Sequence, residues 1–156
     1  MVQEAVLLAR ADLLKSQVTL RVELCAELPP VRGDRVQLQQ VILNLIMNGR
    51  EAMASVADLQ RELVIISQKS AGDSVLVAVR DYGAGVNPQD LERLFDAFFT
   101  TKPTGMGLGL SISRSIIEAH GGRIWAAQND GPGLKVQFSL PAEAAGEQSL
   151  AASKPL

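Results

Sequence analysis

The sequence predicts a single α+β domain. Three observations predict it. Long stretches place apolar residues at helical spacing, and shorter ones alternate apolar with polar residues. Four of the alternating or apolar stretches fall in pairs joined by turn residues, the pattern of hairpins. Finally, a glycine-rich segment runs without a break into an amphipathic helix, residues 105–122. The 156 residues suit one domain. A chain of that size buries about two thirds of its unfolded surface and needs no staple.

Residues 2–15 carry Val6, Leu7, Ala9, Leu13 and Leu14 at helical spacing. Val18, Leu20, Val22 and Leu24 then alternate with Thr19, Arg21 and Glu23, a half-buried strand that Pro29 and Pro30 stop. Cys25, at its end, reads as a small core hydrophobe. Arg32-Gly33-Asp34 spells an adhesion tripeptide, but Asp34 is better read as a helix N-cap, with Gln37 closing a capping box. The helix it opens runs from Arg35 to about Val56 on Val36, Leu38, Val41, Ile42, Leu45 and Ile46. Asn44 and Asn48, four apart, project from one face, with Glu51 and Ala52 on or beside it. Asparagine is a poor mid-helix residue because its amide competes with the backbone. Two such amides form either a buried hydrogen-bonded pair or the polar floor of a ligand site, with amide oxygens facing a hard cation such as Mg²⁺.

Residues 63–68 and 75–80 form a hairpin around Ala71-Gly72-Asp73. The second strand runs into Asp81-Tyr-Gly-Ala-Gly85. Asp81 at a strand end can accept a hydrogen bond from a ligand, with Gly83 and Gly85 removing side chains beside it. A plain strand-ending turn is the alternative. Asn87-Pro88 opens a short helix with Leu91, Leu94 and Phe95 on its apolar side, and Phe98 and Phe99 extend this into a hydrophobic hinge. Lys102 is the one cation in Thr100-Thr-Lys-Pro-Thr104 and is placed to reach a phosphate.

Gly105, Gly107 and Gly109 leave the main chain bare, so its N–H groups can approach a bulky anion. The following helix aims its positive dipole end at the same spot. Ile112, Ile116 and Ile117 anchor that helix, and Gly121 and Gly122 end it. The stretch lacks the Gly-Lys-Ser/Thr of a P-loop and the lead-in strand of a dinucleotide fingerprint. It reads as a phosphate cradle, or else as a flexible glycine loop. His120, the sole histidine, sits where it can bond loose helix carbonyls, and phosphate acceptance is the competing role. Residues 123–127 and 134–140 form a second hairpin around Asn129-Asp-Gly-Pro-Gly133. Residues 142–156 lack periodicity and are predicted to be a disordered tail.

Composition narrows the function classes. The 47% hydrophobic and 21% charged residues are ordinary for a globular chain. A formal net charge of −2 argues against a nucleic-acid partner. The lone cysteine excludes an internal disulfide and a cysteine-cluster metal site. No apolar run approaches the roughly 18 residues that a membrane span needs, and no signal peptide is visible. A cytoplasmic domain without direct membrane contact is expected. The helical pattern already running at Val2 reads as part of something longer.

Four features occur in order: the two-asparagine helix, Asp-x-Gly-x-Gly, the Phe-rich segment with Thr-Thr-Lys, and the triple glycine. Together they resemble the catalytic and ATP-binding domain of two-component sensor histidine kinases, of the Bergerat-fold superfamily that includes gyrase and MutL. Asn44-Leu-Ile-Met-Asn48 is similar to the N box and Asp81-Tyr-Gly-Ala-Gly85 to the G1 box. Residues 95–99 are similar to the F box and residues 105–109 to the G2 box, and residues 116–122 to its usual sequel. The resemblance covers residues 1–141 and, through its short Phe-Phe-Thr-Thr-Lys segment, looks like the short-lid type often joined to PAS sensor modules.

The resemblance implies a two-layer α+β sandwich: a mixed, largely antiparallel sheet covered on one face by helices, with a mobile lid over ATP. It implies that Asp81 accepts a hydrogen bond from the adenine amino group, and that Gly83 and Gly85 leave room for the nucleotide. Asn48 would ligate Mg²⁺, with Asn44 supporting phosphate or metal nearby. Thr101 and Lys102 would meet phosphates, and Gly105, Gly107, Leu108, Gly109 and Leu110 would offer backbone donors to them. Glu51 falls where many such kinases carry a basic residue at the phosphates, which leaves the positive charge to Lys102, with Arg50 beside it. Gly49 stands where alanine is common, and Thr100 where long-lid relatives have arginine.

ATP-hydrolysing relatives carry a glutamate base at the position of Asn44, and an amide cannot take that proton. The implied reaction is therefore phosphoryl transfer to a histidine. The acceptor would lie on a separate dimerisation domain of the same parent, with a response regulator downstream. The isolated domain would be a monomer and the parent a homodimer. An ATPase of the same superfamily, an anti-sigma-factor serine kinase and a degenerate binding module are the alternatives.

Overall fold

The computed structural model describes residues 1–54, 61–100 and 108–143. The chain runs α1 (Val2–Lys15), β1 (Thr19–Leu24), α2 (Arg35–Ala54), β2 (Glu62–Ser70), β3 (Ser74–Arg80), α3 (Gly109–Ala119), β4 (Arg123–Gln128) and β5 (Leu134–Pro141). Two 3-10 turns, Pro88–Asp90 and Arg93–Phe95, precede α3. They replace the short helix expected after Asn87.

The strands form one sheet in the order β1-β2-β3-β5-β4. The two expected hairpins are present, β2 with β3 and β4 with β5, and β3 pairs antiparallel with β5. Only β1 and β2 are parallel. Parallel neighbours need a crossover of a dozen or more residues, and α2 lies in that connection. The sheet is thus mixed and largely antiparallel.

Alternate residues of the central strands enter one core: Leu63 and Ile65, Val75, Val77 and Val79, and Val136, Phe138 and Leu140. Period two places each set on one face of the sheet. Against that face lie Ala5, Ala9 and Leu13 of α1, Leu38, Val41, Ile42, Leu45 and Ile46 of α2, and Ile117 of α3. Each large side chain removed from water there contributes about 1.5–3 kcal/mol.

Several expected core positions are exposed instead. Leu7 and Leu14 point outward, because α1 turns its alanine stripe to α2 and Glu4 binds Arg35 and Gln39 across the contact. Cys25 is also exposed. It follows the end of the edge strand β1, where its N–H donates to the Ser67 carbonyl at 3.1 Å and its side chain leaves the sheet. In α3, Ile117 is buried whereas Ile112 is 43% exposed. The expected aromatic hinge divides: Phe95 is in the core, Phe99 stacks 4.5 Å from the Arg93 guanidinium, and Phe98 is exposed with φ +68°.

The C-terminus of α3 has the expected glycine cap. Gly121 adopts φ +75° and its N–H donates to the Glu118 carbonyl at 3.0 Å, while the Gly122 N–H reaches the Ile117 carbonyl at 2.9 Å. That is a Schellman arrangement. His120 bonds a loose carbonyl as predicted, with Nδ1 2.7 Å from the Ile116 oxygen. It also performs an unexpected task. Asp34 Oδ1 caps the Gln37 N–H at 3.0 Å, but the Asp34 N–H donates to His120 Nε2 at 3.0 Å. Half of the capping box is therefore completed from α3. A carbonyl on Nδ1 and an N–H on Nε2 define the neutral tautomer protonated on Nδ1, so the Nε2 lone pair is occupied. His120→Ala should lower stability by about 1–2 kcal/mol, read as a shift in urea midpoint, with ADP affinity unchanged.

After β5, Ala142 bridges Val31, and the N–H groups of Ala142 and Glu143 donate to Asp73 and Pro30. The rest of the predicted tail, and the centre of the predicted lid, lie outside the described residues.

Candidate functional site

Two segments contact α2 here: the first turn of α3 and the loop after β3. Asn44 makes the first contact. Its Nδ2 donates to the Gly109 carbonyl at 3.4 Å and to Ser113 Oγ at 3.3 Å. Ser113 is fully buried and its hydroxyl donates to Gly109 at 2.9 Å. Asn44 thus fixes the start of α3 on α2 through its amide nitrogen. Asn48 follows one turn later, half-buried, and Glu51 is exposed beyond it.

Asp81 is 6% exposed. A buried carboxylate must be hydrogen-bonded to be tolerated, and Oδ1 accepts the Gly83 N–H at 2.9 Å and the Leu134 N–H at 3.3 Å. Gly49 lets α2 approach this point. A Cβ there would lie 2.7 Å from Leu63 Cδ1 and 3.4 Å from Asp81 Cβ. The space gained explains a mid-helix glycine that costs up to about 1 kcal/mol in propensity.

Gly83 has a different basis from the one expected. A Cβ on it would sit 2.5 Å from the Ala52 carbonyl oxygen, so glycine is required for the loop to pass the last turn of α2. The Ala84 N–H donates to that same carbonyl at 3.4 Å. Gly85 adopts φ +70°, a left-handed conformation that favours glycine.

The first turn of α3 has the features of an anion site. The first backbone hydrogen bond within it is from the Ile112 N–H to the Leu108 carbonyl, and its N-cap residue, Leu108, makes no side-chain cap bond. The early N–H groups, Gly109 and Leu110 included, point out of the helix end with its positive partial charge. A Cβ at Gly109 would meet no atom within 4 Å among the described residues, so none of them demands glycine there.

The structure therefore ties Gly109, flanked by Leu108 and Leu110, to Asn44, and the loop of Asp81, Gly83 and Gly85 to Gly49 and Ala52 of the same helix, with Asn48 between the two contacts in sequence. Thr101, Lys102, Gly105 and Gly107 lie outside the described residues. Arg50 is not part of the site: its Nη1 donates to Ser16 Oγ at 3.4 Å, in the turn between α1 and β1. Sequence reasoning missed Asn129 and Gly133. Asn129 Nδ2 donates to the Asp81 carbonyl at 2.8 Å and to Pro132 at 3.0 Å. Gly133 adopts φ +99°, and a Cβ on it would fall 2.1 Å from the Asp81 carbonyl oxygen. Their only signal was a turn-rich run.

A fixed carboxylate, outward N–H groups at a helix end and nearby amides can recognise an amino-bearing base and its phosphates. A single amide oxygen on Asn48 suits Mg²⁺, which keeps most of its shell as water and phosphate oxygens. Among the described residues no cluster of three or more acidic, histidine or cysteine groups forms a complete metal cage. No helix among them is long and apolar enough to cross a membrane.

Comparison with known proteins agrees with this geometry. Over 142 residues the chain is 48% identical to the sensor protein FixL of Bradyrhizobium diazoefficiens, covering 91% of this chain and 28% of that protein. The catalytic domain of the histidine kinase ThkA superposes with a TM-score of 0.77 at 33% identity, over 90% of both chains. ThkA solved with the response regulator TrrA matches at 0.75 and 30% identity, over 91% of this chain and 39% of that one. Full-length ShkA in complex with AMPPNP matches at 0.79 and 25% identity, over 92% of this chain and 30% of that one. The chain thus spans a little over a quarter of the length of FixL. With residues 33–144 matching the family model described as histidine kinase-, DNA gyrase B- and HSP90-like ATPase, and sensor histidine kinases as its relatives, the chain belongs to that ATPase family.

Proposed function

We propose that residues 1–141 form the domain of a sensor histidine kinase that binds Mg-ATP and passes its γ-phosphoryl group to a histidine on a separate domain. The observation that carries this reading is the buried Asp81 carboxylate, held by two backbone N–H groups and packed beside Gly49 of the same helix, α2, whose Asn44 holds the start of α3. Asp81 accepts a hydrogen bond from the adenine amino group. Gly85 and the path opened by Gly83 keep the base edge clear. Backbone N–H groups of Gly109 and Leu110, with those of Gly105, Gly107 and Leu108, take the phosphates, and Thr101 and Lys102 close over them. Asn48 supplies an amide oxygen to Mg²⁺, which when bound neutralises phosphate charge. Glu51, exposed on α2 just after Asn48, belongs to the proposed nucleotide-binding set.

In the transfer, an imidazole nitrogen of the acceptor forms a bond to the γ-phosphorus. The bond from that phosphorus to the β,γ-bridging oxygen breaks, ADP leaves, and the imidazole proton passes to solvent. Catalysis then rests on positioning and charge neutralisation. Asn44 favours transfer over hydrolysis, because its amide holds α3 and cannot take a proton from water. His120 is unsuited as acceptor, with both ring nitrogens engaged.

The partners are the acceptor domain of the same parent, which would be a homodimer, and a response regulator. The short lid and a PAS-linked, cytoplasmic placement belong to the same reading. To test it, the chain is incubated with γ-labelled ATP and a separately prepared acceptor domain from a sensor histidine kinase. Acid-labile, base-stable label on the acceptor is expected, with little free phosphate. Steady phosphate release without labelling would favour an ATPase, and acid-stable label would favour a serine kinase.

A further inference from the structure

We infer that Asn129, in the turn between β4 and β5, is a positioning residue that holds the Asp81 carboxylate ready for the base; this rests on the reading of Asp81 given above. The last pairing of β3 with β5 departs from a regular hydrogen-bond ladder. Facing residues in a hydrogen-bonded antiparallel pair exchange two backbone bonds. Asp81 and Leu134 continue the register of Arg80 with Lys135, and the first bond is made: the Asp81 N–H donates to the Leu134 carbonyl at 2.9 Å. The second is redirected. The Leu134 N–H reaches Asp81 Oδ1 at 3.3 Å, and the Asp81 carbonyl accepts Asn129 Nδ2 at 2.8 Å instead.

Asn129 thus stands in for a ladder bond and releases a backbone donor to the carboxylate. Its orientation is forced, since Nδ2 faces two carbonyls, Asp81 and Pro132, and only the nitrogen of the amide can donate to both. Gly133 makes the arrangement sterically feasible, because any Cβ there would collide with the Asp81 carbonyl. With the Gly83 N–H at 2.9 Å from the same Oδ1, the carboxylate is held by donors from two segments. Without Asn129, the Asp81 carbonyl recaptures the Leu134 N–H, and the carboxylate keeps one of those two donors.

The test compares ADP with the diphosphate of unsubstituted purine riboside, which lacks only the 6-amino group, by calorimetric titration. Wild type, Asn129→Ala and Asn129→Asp are titrated; aspartate keeps the size of asparagine but has no donor. Melting temperatures of all three are recorded to confirm folding. The wild type should prefer ADP by about tenfold or more, the discrimination of a site built to pair an amino group. Both variants should lose about tenfold in ADP affinity and under about twofold for the analogue, so the preference collapses. A general loosening of the fold would weaken both nucleotides alike. An ADP preference unchanged in both variants overturns the inference while leaving the role of Asp81 intact. No preference in the wild type overturns the role of Asp81 as well.

Discussion

Replacing Asp81 by asparagine should weaken ADP binding by on the order of 2–3 kcal/mol, roughly 30- to 150-fold. The side chain is nearly isosteric, so the effect isolates chemistry. Oδ1 already accepts two backbone N–H groups, from Gly83 and Leu134. An asparagine that keeps those bonds must turn its NH₂ toward the base, donor against donor. The base loses its acceptor, and the buried amide gains an unpaired hydrogen. The fold should change little, because both bonds to Oδ1 survive. Calorimetric titration beside a thermal melt checks the pair of expectations. Unchanged affinity would remove Asp81 from the site. A lost fold would show that the charge is structural.

Gly83→Ala should destabilise the domain by about 2–4 kcal/mol, because the added methyl meets backbone rather than a movable side chain. Its Cβ would lie 2.5 Å from the Ala52 oxygen and 2.6 Å from its carbonyl carbon. For a domain of this size that is a fall in melting temperature of about 5–15 °C. Gly85→Ala gives the contrast. It is strained by φ +70°, but its nearest neighbour is the Gly133 oxygen at 3.4 Å. The cost there should be only about 1–2 kcal/mol. Nucleotide affinity should fall with Gly83→Ala as well, since the displaced loop carries the Gly83 N–H that holds Asp81. If Gly85→Ala proves the more damaging, the close approach of loop and helix is not what selects glycine at 83.

Much of this was legible because it is local. Period-two apolar patterns and turn residues define both hairpins, and a strand that runs into Asp81 puts that residue at a strand end whatever its neighbours are. The two asparagines on α2 signalled a polar contact, although the pattern left open which group Asn44 meets; it meets the start of α3, 65 residues on. The α1 helix offered more apolar residues than one stripe can bury. The choice of Ala5 and Ala9 over Leu7 and Leu14 depends on how closely α2 approaches, which no spacing in α1 records. The parallel pairing of β1 with β2 follows from a crossover and not from either strand's pattern. Asn129 was hidden for the same reason. Its bond to Asp81 spans 48 residues and exists only once the β4–β5 turn folds over the end of β3. Gly83 was singled out as room for a ligand, whereas the constraint the structure shows there, the Ala52 carbonyl, lies on another element.

The most direct measurement is titration of the chain with ADP and a non-hydrolysable ATP analogue, each with and without Mg²⁺. Saturable binding of one nucleotide per chain is predicted, strengthened by Mg²⁺ for the triphosphate analogue. Absence of binding to either nucleotide, with Mg²⁺ present and the chain folded, would contradict the account.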